Sequence, residues 1–175
     1  MMYSSHGPRG RPLGTKEGPM TQSTLITDEM RSYIGRESEP VTVEVDKTAC
    51  RMFARAVGYT DPVFYDEEEA KRRGYRSIPA PPGFLGHPVY NPARPQAGSY
   101  LPPFRTTVTR NLNGGTDIEY FDDICAGDVL TMTSKVVDLQ EREGRLGKML
   151  IIVSEMTYRR GDQVVAKMRG TLIRY

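Results

Sequence analysis

Hydrophobic and polar positions alternate most cleanly in the last third of the chain. Between Val129 and Leu139, residues Leu130, Met132 and Val136 share one side, while Thr131, Thr133 and Lys135 share the other. That period of two predicts a strand with one buried face. Val164, Ala166, Met168 and Leu172 alternate with Lys167, Arg169 and Thr171 in the same way. Between these segments, Met149 to Val153 is apolar at every position, which predicts a strand covered on both faces. Glu143-Gly144 and Arg160-Gly161-Asp162 supply the turns, so three long antiparallel strands follow one another.

The first half carries shorter, helical signals. Thr27 is placed to cap a helix that has acids in its first turn and Gly35 at its end. Pro40 to Val45 predicts a brief strand, with Val41, Val43 and Val45 on one face. Asp46 caps a helix reaching Val57, stopped by Gly58; its Ala49, Met52, Phe53 and Ala56 form one apolar stripe at i, i+3, i+4 and i+7. Asp66 caps a third helix, DEEEAKRR, with acids at its positive end, bases at its negative end and Gly74 beyond. Prolines and glycines between Pro79 and Pro103 leave no room for a long helix. Residues 1–24, rich in Gly, Pro and Ser, are expected to be a disordered tail, with Met20 as an alternative start. Residues 25–175 are expected to form one domain of the α+β class, helices lying on one face of a curved antiparallel sheet.

Composition narrows the function. A chain of 175 residues that is 26% charged can build a core, and no apolar run approaches the ~18 residues of a membrane span. No signal peptide is visible at the start. The net charge of +2 resides in Arg9, Arg11 and Lys16 against Glu17; the rest of the chain balances to zero, which removes a broad electrostatic case for nucleic acid. Cys50 and Cys125 cannot make a disulfide framework, and they fit a reducing cytoplasm. Glu67, Glu68 and Glu69 point in different directions from successive helix positions, so a solvated first turn is preferred to a metal site.

The stretch from Phe53 to Phe84, FARAVGYTDPVFYDEEEAKRRGYRSIPAPPGF, carries a resemblance. Its helix, Gly-stopped turn, charged helix and Pro-Pro-Gly loop are similar to those of the MaoC-like hydratases and dehydratases, hot-dog-fold proteins that act on acyl thioesters. The motif of that family is roughly Gly-Asp-x-Asn-Pro-Leu-His; here the seven positions read Gly58, Tyr59, Thr60, Asp61, Pro62, Val63 and Phe64. Ala80-Pro81-Pro82-Gly83-Phe84, Asn113-Gly114-Gly115, Glu119-Tyr120 and Ala126-Gly127-Asp128 extend the match in order. The resemblance implies a single hot-dog domain, its curved antiparallel sheet wrapped around a helix. That helix would begin near Pro82, where prolines 88, 92 and 95 leave it little room.

In the family, an Asp and a His activate water for addition across the double bond of an enoyl thioester. Tyr59 and Phe64 stand at those two positions, so the chain resembles the degenerate half of two-domain or heterodimeric members, which shapes the acyl tunnel. The resemblance implies binding of an acyl-CoA or acyl-carrier-protein thioester by Tyr59, Pro62, Val63, Pro82, Gly83 and Phe84, without a cofactor or a metal. It also implies a second hot-dog subunit bearing the Asp/His dyad, or a self-dimer. Asp61 is either a displaced catalytic acid or a turn residue before Pro62, and the turn is preferred. His87 is the imidazole candidate outside the tail, and a structural or solvated role is preferred for it. The leading expectation is a subunit of an (R)-specific enoyl-thioester hydratase or 3-hydroxyacyl-thioester dehydratase. The alternatives are a non-catalytic acyl-thioester-binding or scaffold protein, and a hot-dog thioesterase using Asp61 or a nearby carboxylate to activate water.

Overall fold

Three short polar side chains start the three helices. Thr27 accepts a hydrogen bond from the Met30 N–H and opens α1 (Asp28–Ser32); Asp46 accepts from Ala49 and opens α2 (Lys47–Ala56); Asp66 accepts from Glu68 and Glu69 and opens α3 (Glu67–Arg72). Each satisfies amides that a helix cannot pair internally. These assignments come from a computed structural model that describes residues 24–94, 104–145 and 147–175. The tail expected over residues 1–24 therefore lies outside the described residues except for Thr24, as do Met20 and Pro95.

Six strands form one sheet: β1 (Val41–Glu44), β2 (His87–Pro88), β3 (Asn111–Tyr120), β4 (Val129–Gly144), β5 (Gly147–Arg160) and β6 (Gln163–Arg174). Their order is β2-β1-β4-β5-β6-β3, and every ladder is antiparallel. The sheet curls into a half-barrel, the hot-dog arrangement. β4 keeps the alternation expected of it, burying Leu130, Met132, Ser134 and Val136. A bulge between Val136 and Asp138 then adds one residue and shifts the inward phase, so that Leu139 is the next to be buried.

Two departures from the sequence expectation matter. The run Met149–Val153 is covered on one face only: Leu150 and Ile152 are buried, whereas Met149, Ile151 and Val153 are half-buried. No helix begins near Pro82; residues 81–86 turn and lead into β2, so the helix packed on the sheet is α2. Fully buried Cys50, with half-buried Ala49 and Phe53, joins α2 to a core containing Val43, Ile78, Leu130, Met156 and Val165, and Ala54 is fully buried on the same helix. A second core lies beneath α1, where Ile26 and Met30 meet Val136, Leu139, Leu150 and Ile152, with Phe104 and Val108 at its margin. Its outer end is fastened by the Glu141 carboxylate, which accepts from the Leu25 N–H and the Thr24 hydroxyl.

Gly86 sets the approach of the proline-rich loop to β1. Its φ is 91°, and a Cβ there would lie 2.7 Å from the Glu44 carbonyl oxygen and 2.8 Å from Val43 Cγ1. Gly127, at φ 94°, would meet nothing within 4 Å. Gly127→Ala should therefore cost about 1–2 kcal/mol from left-handed backbone strain alone, while Gly86→Ala should cost clearly more. Urea midpoints of the two variants provide the check, and equal losses would mean that the loop does not press on β1.

Candidate functional site

The turn after α2 arises locally. Gly58 takes φ 80° to end the helix, and the Tyr59 N–H donates back to the Ala54 carbonyl at 2.9 Å. Asp61 then caps a 3-10 turn, Pro62–Phe64, accepting from the Val63 N–H at 3.0 Å. Its other carboxylate oxygen pairs with Arg73 at 2.9 Å. The Val63 amide, and then Arg73, hold the Asp61 carboxyl below the usual carboxylate range. This group is thus ionised at neutral pH, exposed, and engaged on both oxygens. Tyr59 stacks on Phe64 at 5.4 Å between ring centroids, and Val63 is buried beneath the turn.

Two hollows flank the loop Ala80–His87. The first, of about 450 Å³, is lined by Phe64, Tyr75, Pro79, Ala80 and Pro82 on one side and by Tyr120 to Ile124 on the other. The second, of about 540 Å³, is almost wholly apolar. Ala49, Met52, Phe53 and Ala56 of α2 form one wall, Gly83 to His87 another, and Tyr158 of β5 with Met168 of β6 the sheet side. Phe84 is buried, packed on Phe53 at 5.4 Å and edge-on to His87 at 5.1 Å. The Gly83 N–H donates to the Tyr120 hydroxyl at 2.9 Å, fixing the wall between the hollows. Both volumes fall in the range of small-molecule sites, and the second offers an almost entirely apolar surface.

The residues singled out in the sequence therefore separate. Gly83 and Phe84 line the apolar hollow, Pro82 and Phe64 line the other, and Tyr59, Pro62 and Val63 line neither. His87 is exposed in β2 at the margin of the apolar hollow; Asp61 lines neither hollow, and no hydrogen bond or ion pair joins it to His87. Among the described residues no cluster of three or more His, Cys, Asp or Glu could hold a metal. Burial, and then the charge of Asp46, push the Cys50 thiol up to about 11, so it is a packed side chain and not a nucleophile. Sequence reasoning did not single out Tyr158, and it placed Met168 only in an alternating strand. It put Met52 and Ala56 on an apolar stripe of α2, and both are exposed and face the hollow.

A buried carboxylate holds the surroundings of the first hollow together. Asp128, 6% exposed, accepts from both Arg76 terminal nitrogens at 2.8 and 3.0 Å, from the Cys125 N–H at 3.0 Å and from Arg160 at 3.1 Å. Arg160 also binds Asp122 at 3.0 Å, and both arginines donate to the Asp123 carbonyl. Burial pushes the Asp128 carboxyl up, but the Arg76 and Cys125 hydrogen bonds and the charges of Arg160 and Arg76 outweigh it, leaving the group below the usual range.

The model of the FAS1-like dehydratase domain region matches residues 32–168, and the chain belongs to that family of MaoC-like hot-dog dehydratases. It is 30% identical over 147 residues to a UPF0336 protein of Thermobifida fusca, covering 82% of this chain and 93% of that one. The fold matches a subunit of the HadBC (3R-hydroxyacyl-ACP dehydratase) complex of Mycobacterium tuberculosis with a TM-score of 0.62 at 22% identity, over 81% of this chain and 96% of that one. It also matches a chain of the ChsH1–ChsH2 complex of the same organism at TM-score 0.59 and 18% identity, over 79% and 88% of the two chains. No described helix is long and apolar enough to cross a membrane.

The Asp128 clamp yields a signed expectation. A carboxyl whose pKa is depressed by folding adds stability that is present above its unfolded pKa of ~3.9 and is lost as pH falls through the lower folded value. Asp128→Asn should lower unfolding stability at pH 7 by about 3 kcal/mol, the low end for stripping one partner from a buried pair, because Arg76 is half in solvent. The deficit relative to wild type should shrink below about pH 4. Chemical denaturation at several pH values measures it, and a deficit that stays constant into acid would contradict the clamp.

Proposed function

We propose that this chain is the acyl-binding half of a two-subunit (R)-specific enoyl-thioester hydratase or 3-hydroxyacyl-thioester dehydratase. The observation that carries the reading is an apolar hollow of about 540 Å³ built on a dehydratase fold, beside a motif turn whose side chains offer no acid–base pair. Tyr59 and Phe64 stack on each other where the family places its Asp and His, and Asp61 is spent on capping and on Arg73. Hydration needs a base to take a proton from water as its oxygen attacks the β-carbon, and an acid to protonate the α-carbon. Neither group is assembled at this turn, so both come from a partner.

A partner also suits the sheet. β3 lies at its end, paired only with β6 among the described residues, and nine of its ten residues are exposed. Leu112, Tyr120 and Phe121 stand there half in water. An open edge strand with apolar side chains is a template for another strand, which supports side-by-side pairing with a second hot-dog subunit carrying the Asp/His dyad. Relatives of this fold in HadBC and ChsH1–ChsH2 occur as complexes of named pairs, which favours a heteromer. The acyl-CoA or acyl-carrier-protein thioester would lie with its chain against α2 and Phe84.

Alone, the chain should turn over enoyl thioesters very slowly or not at all, because each missing acid–base group is worth ~10²–10⁴-fold. Mixed with a hot-dog chain bearing both residues, activity should appear, followed by loss of enoyl-thioester absorbance. Full turnover by the purified chain, abolished by His87→Ala or Asp61→Asn, would instead establish a relocated active site.

In the mixed enzyme, Phe84→Ala should enlarge the pocket and move the acyl-length optimum upward while leaving the pH profile of kcat unchanged. A shifted pH profile would give Phe84 or its neighbour His87 a part in the chemistry.

A further inference from the structure

The apolar hollow contains one polar group for which the packing has no use. Tyr158 sits in mid-sheet, paired with Met132 of β4 and Ala166 of β6, and is only 6% exposed. It lines the hollow, yet its hydroxyl makes no hydrogen bond with any described residue. The nearby phenol of Tyr120 is committed, since it accepts from the Gly83 N–H. His87, the other polar side chain of the lining, is exposed. The hydroxyl is not among the fully enclosed unpaired atoms of the described residues, which are Ser154 Oγ, Arg160 Nε and Arg174 Nε, so water in the hollow reaches it in the free chain. A ligand filling the hollow strips that water, and the hydroxyl is then unpaired unless the ligand brings an oxygen to it.

We infer that the Tyr158 hydroxyl is a selectivity group, which hydrogen-bonds an oxygen carried on the acyl chain and so favours oxygenated acyl groups over plain hydrocarbon ones. The inference rests on the reading of this hollow as an acyl pocket and specifies what the pocket selects. A plain alkyl chain covers the hydroxyl without pairing it; a ketone, hydroxyl or ether oxygen at the matching depth pairs it. Sites built to bond a substrate oxygen discriminate strongly against the analogue that lacks it, because the site's own polar group is then stranded. Burial, and then the neighbouring Tyr120, push the Tyr158 phenol up to about 12, so it remains a donor at any physiological pH and the selectivity is constant from pH 6 to 9.

The probe set is octanoyl-CoA together with octanoyl-CoA analogues carrying a single ketone at each position from C4 to C7, titrated calorimetrically into the full chain and into Tyr158→Phe. One ketone position should bind about 5- to 10-fold tighter than octanoyl-CoA, the size of one net hydrogen bond. Tyr158→Phe should erase that advantage, leave octanoyl-CoA binding equal or tighter, and unfold at about the wild-type temperature. Binding of octanoyl-CoA with no favoured ketone, or a preference that survives in Tyr158→Phe, would overturn the inference and leave the acyl-pocket reading standing. Failure of every probe to bind wild type would overturn both.

Discussion

The Asp128 carboxylate is the constraint on which the rest of the site depends. The residues around it come from three separate stretches of chain: Arg76 after α3, Cys125 in the loop before β4, and Arg160 at the end of β5. An ion with so little contact with water cannot be left unpaired, and each pairing fixes a chain segment. Arg76 ties the charged helix to the sheet, and Arg160 with Asp122 ties the loop to the β5–β6 turn, where Gln163 adds a third contact. Between these ties runs the loop Ser77–Gly86. The Ala80 N–H bonds the Ile124 carbonyl, and the Ala126 N–H bonds the Ile78 carbonyl. Both hollows inherit their shared wall from that loop. The clamp determines where the segments that line the two hollows stand.

Much of this was legible in the chain. Thr27, Asp46 and Asp66 are short polar groups ahead of helical patterns, and local hydrogen bonding suffices to make them caps. Val41, Val43 and Val45 bury one face of β1, as period two requires. The three long strands and the family were also readable. β3 was not: Asn113, Gly114 and Gly115 break its pattern, and its exposed side chains give no alternation, since its order comes from the β6 ladder alone. Nor could the bulge after Val136 be read, because a one-residue phase shift is visible only against a partner strand.

The site was harder still. Ala49, Met52, Phe53 and Ala56 make a stripe at helical spacing, and spacing alone does not say whether a stripe meets a core or a cavity. Here it does both. The fully buried line runs through Cys50 and Ala54, and Met52 and Ala56 look onto empty space. The Pro-Pro-Gly loop misled differently: residues adjacent in sequence, Pro82 and Gly83, belong to opposite sides of one wall. Tyr158 lies beyond the apolar run that marks its strand, so nothing in the sequence singled it out; its place in the lining of the hollow does.

The division of labour along α2 has a consequence for how such proteins diversify. Met52 is 66% exposed and touches little that holds the fold together, whereas Cys50 and Ala54 are closed on every side. Substitutions at exposed positions are commonly tolerated within a fraction of a kcal/mol, and those in the core are not. The side of the helix that faces the hollow can therefore accept substitutions at little cost to the fold, whereas the opposite side cannot. A single helix then serves as a fixed scaffold on one side and an adjustable mould on the other.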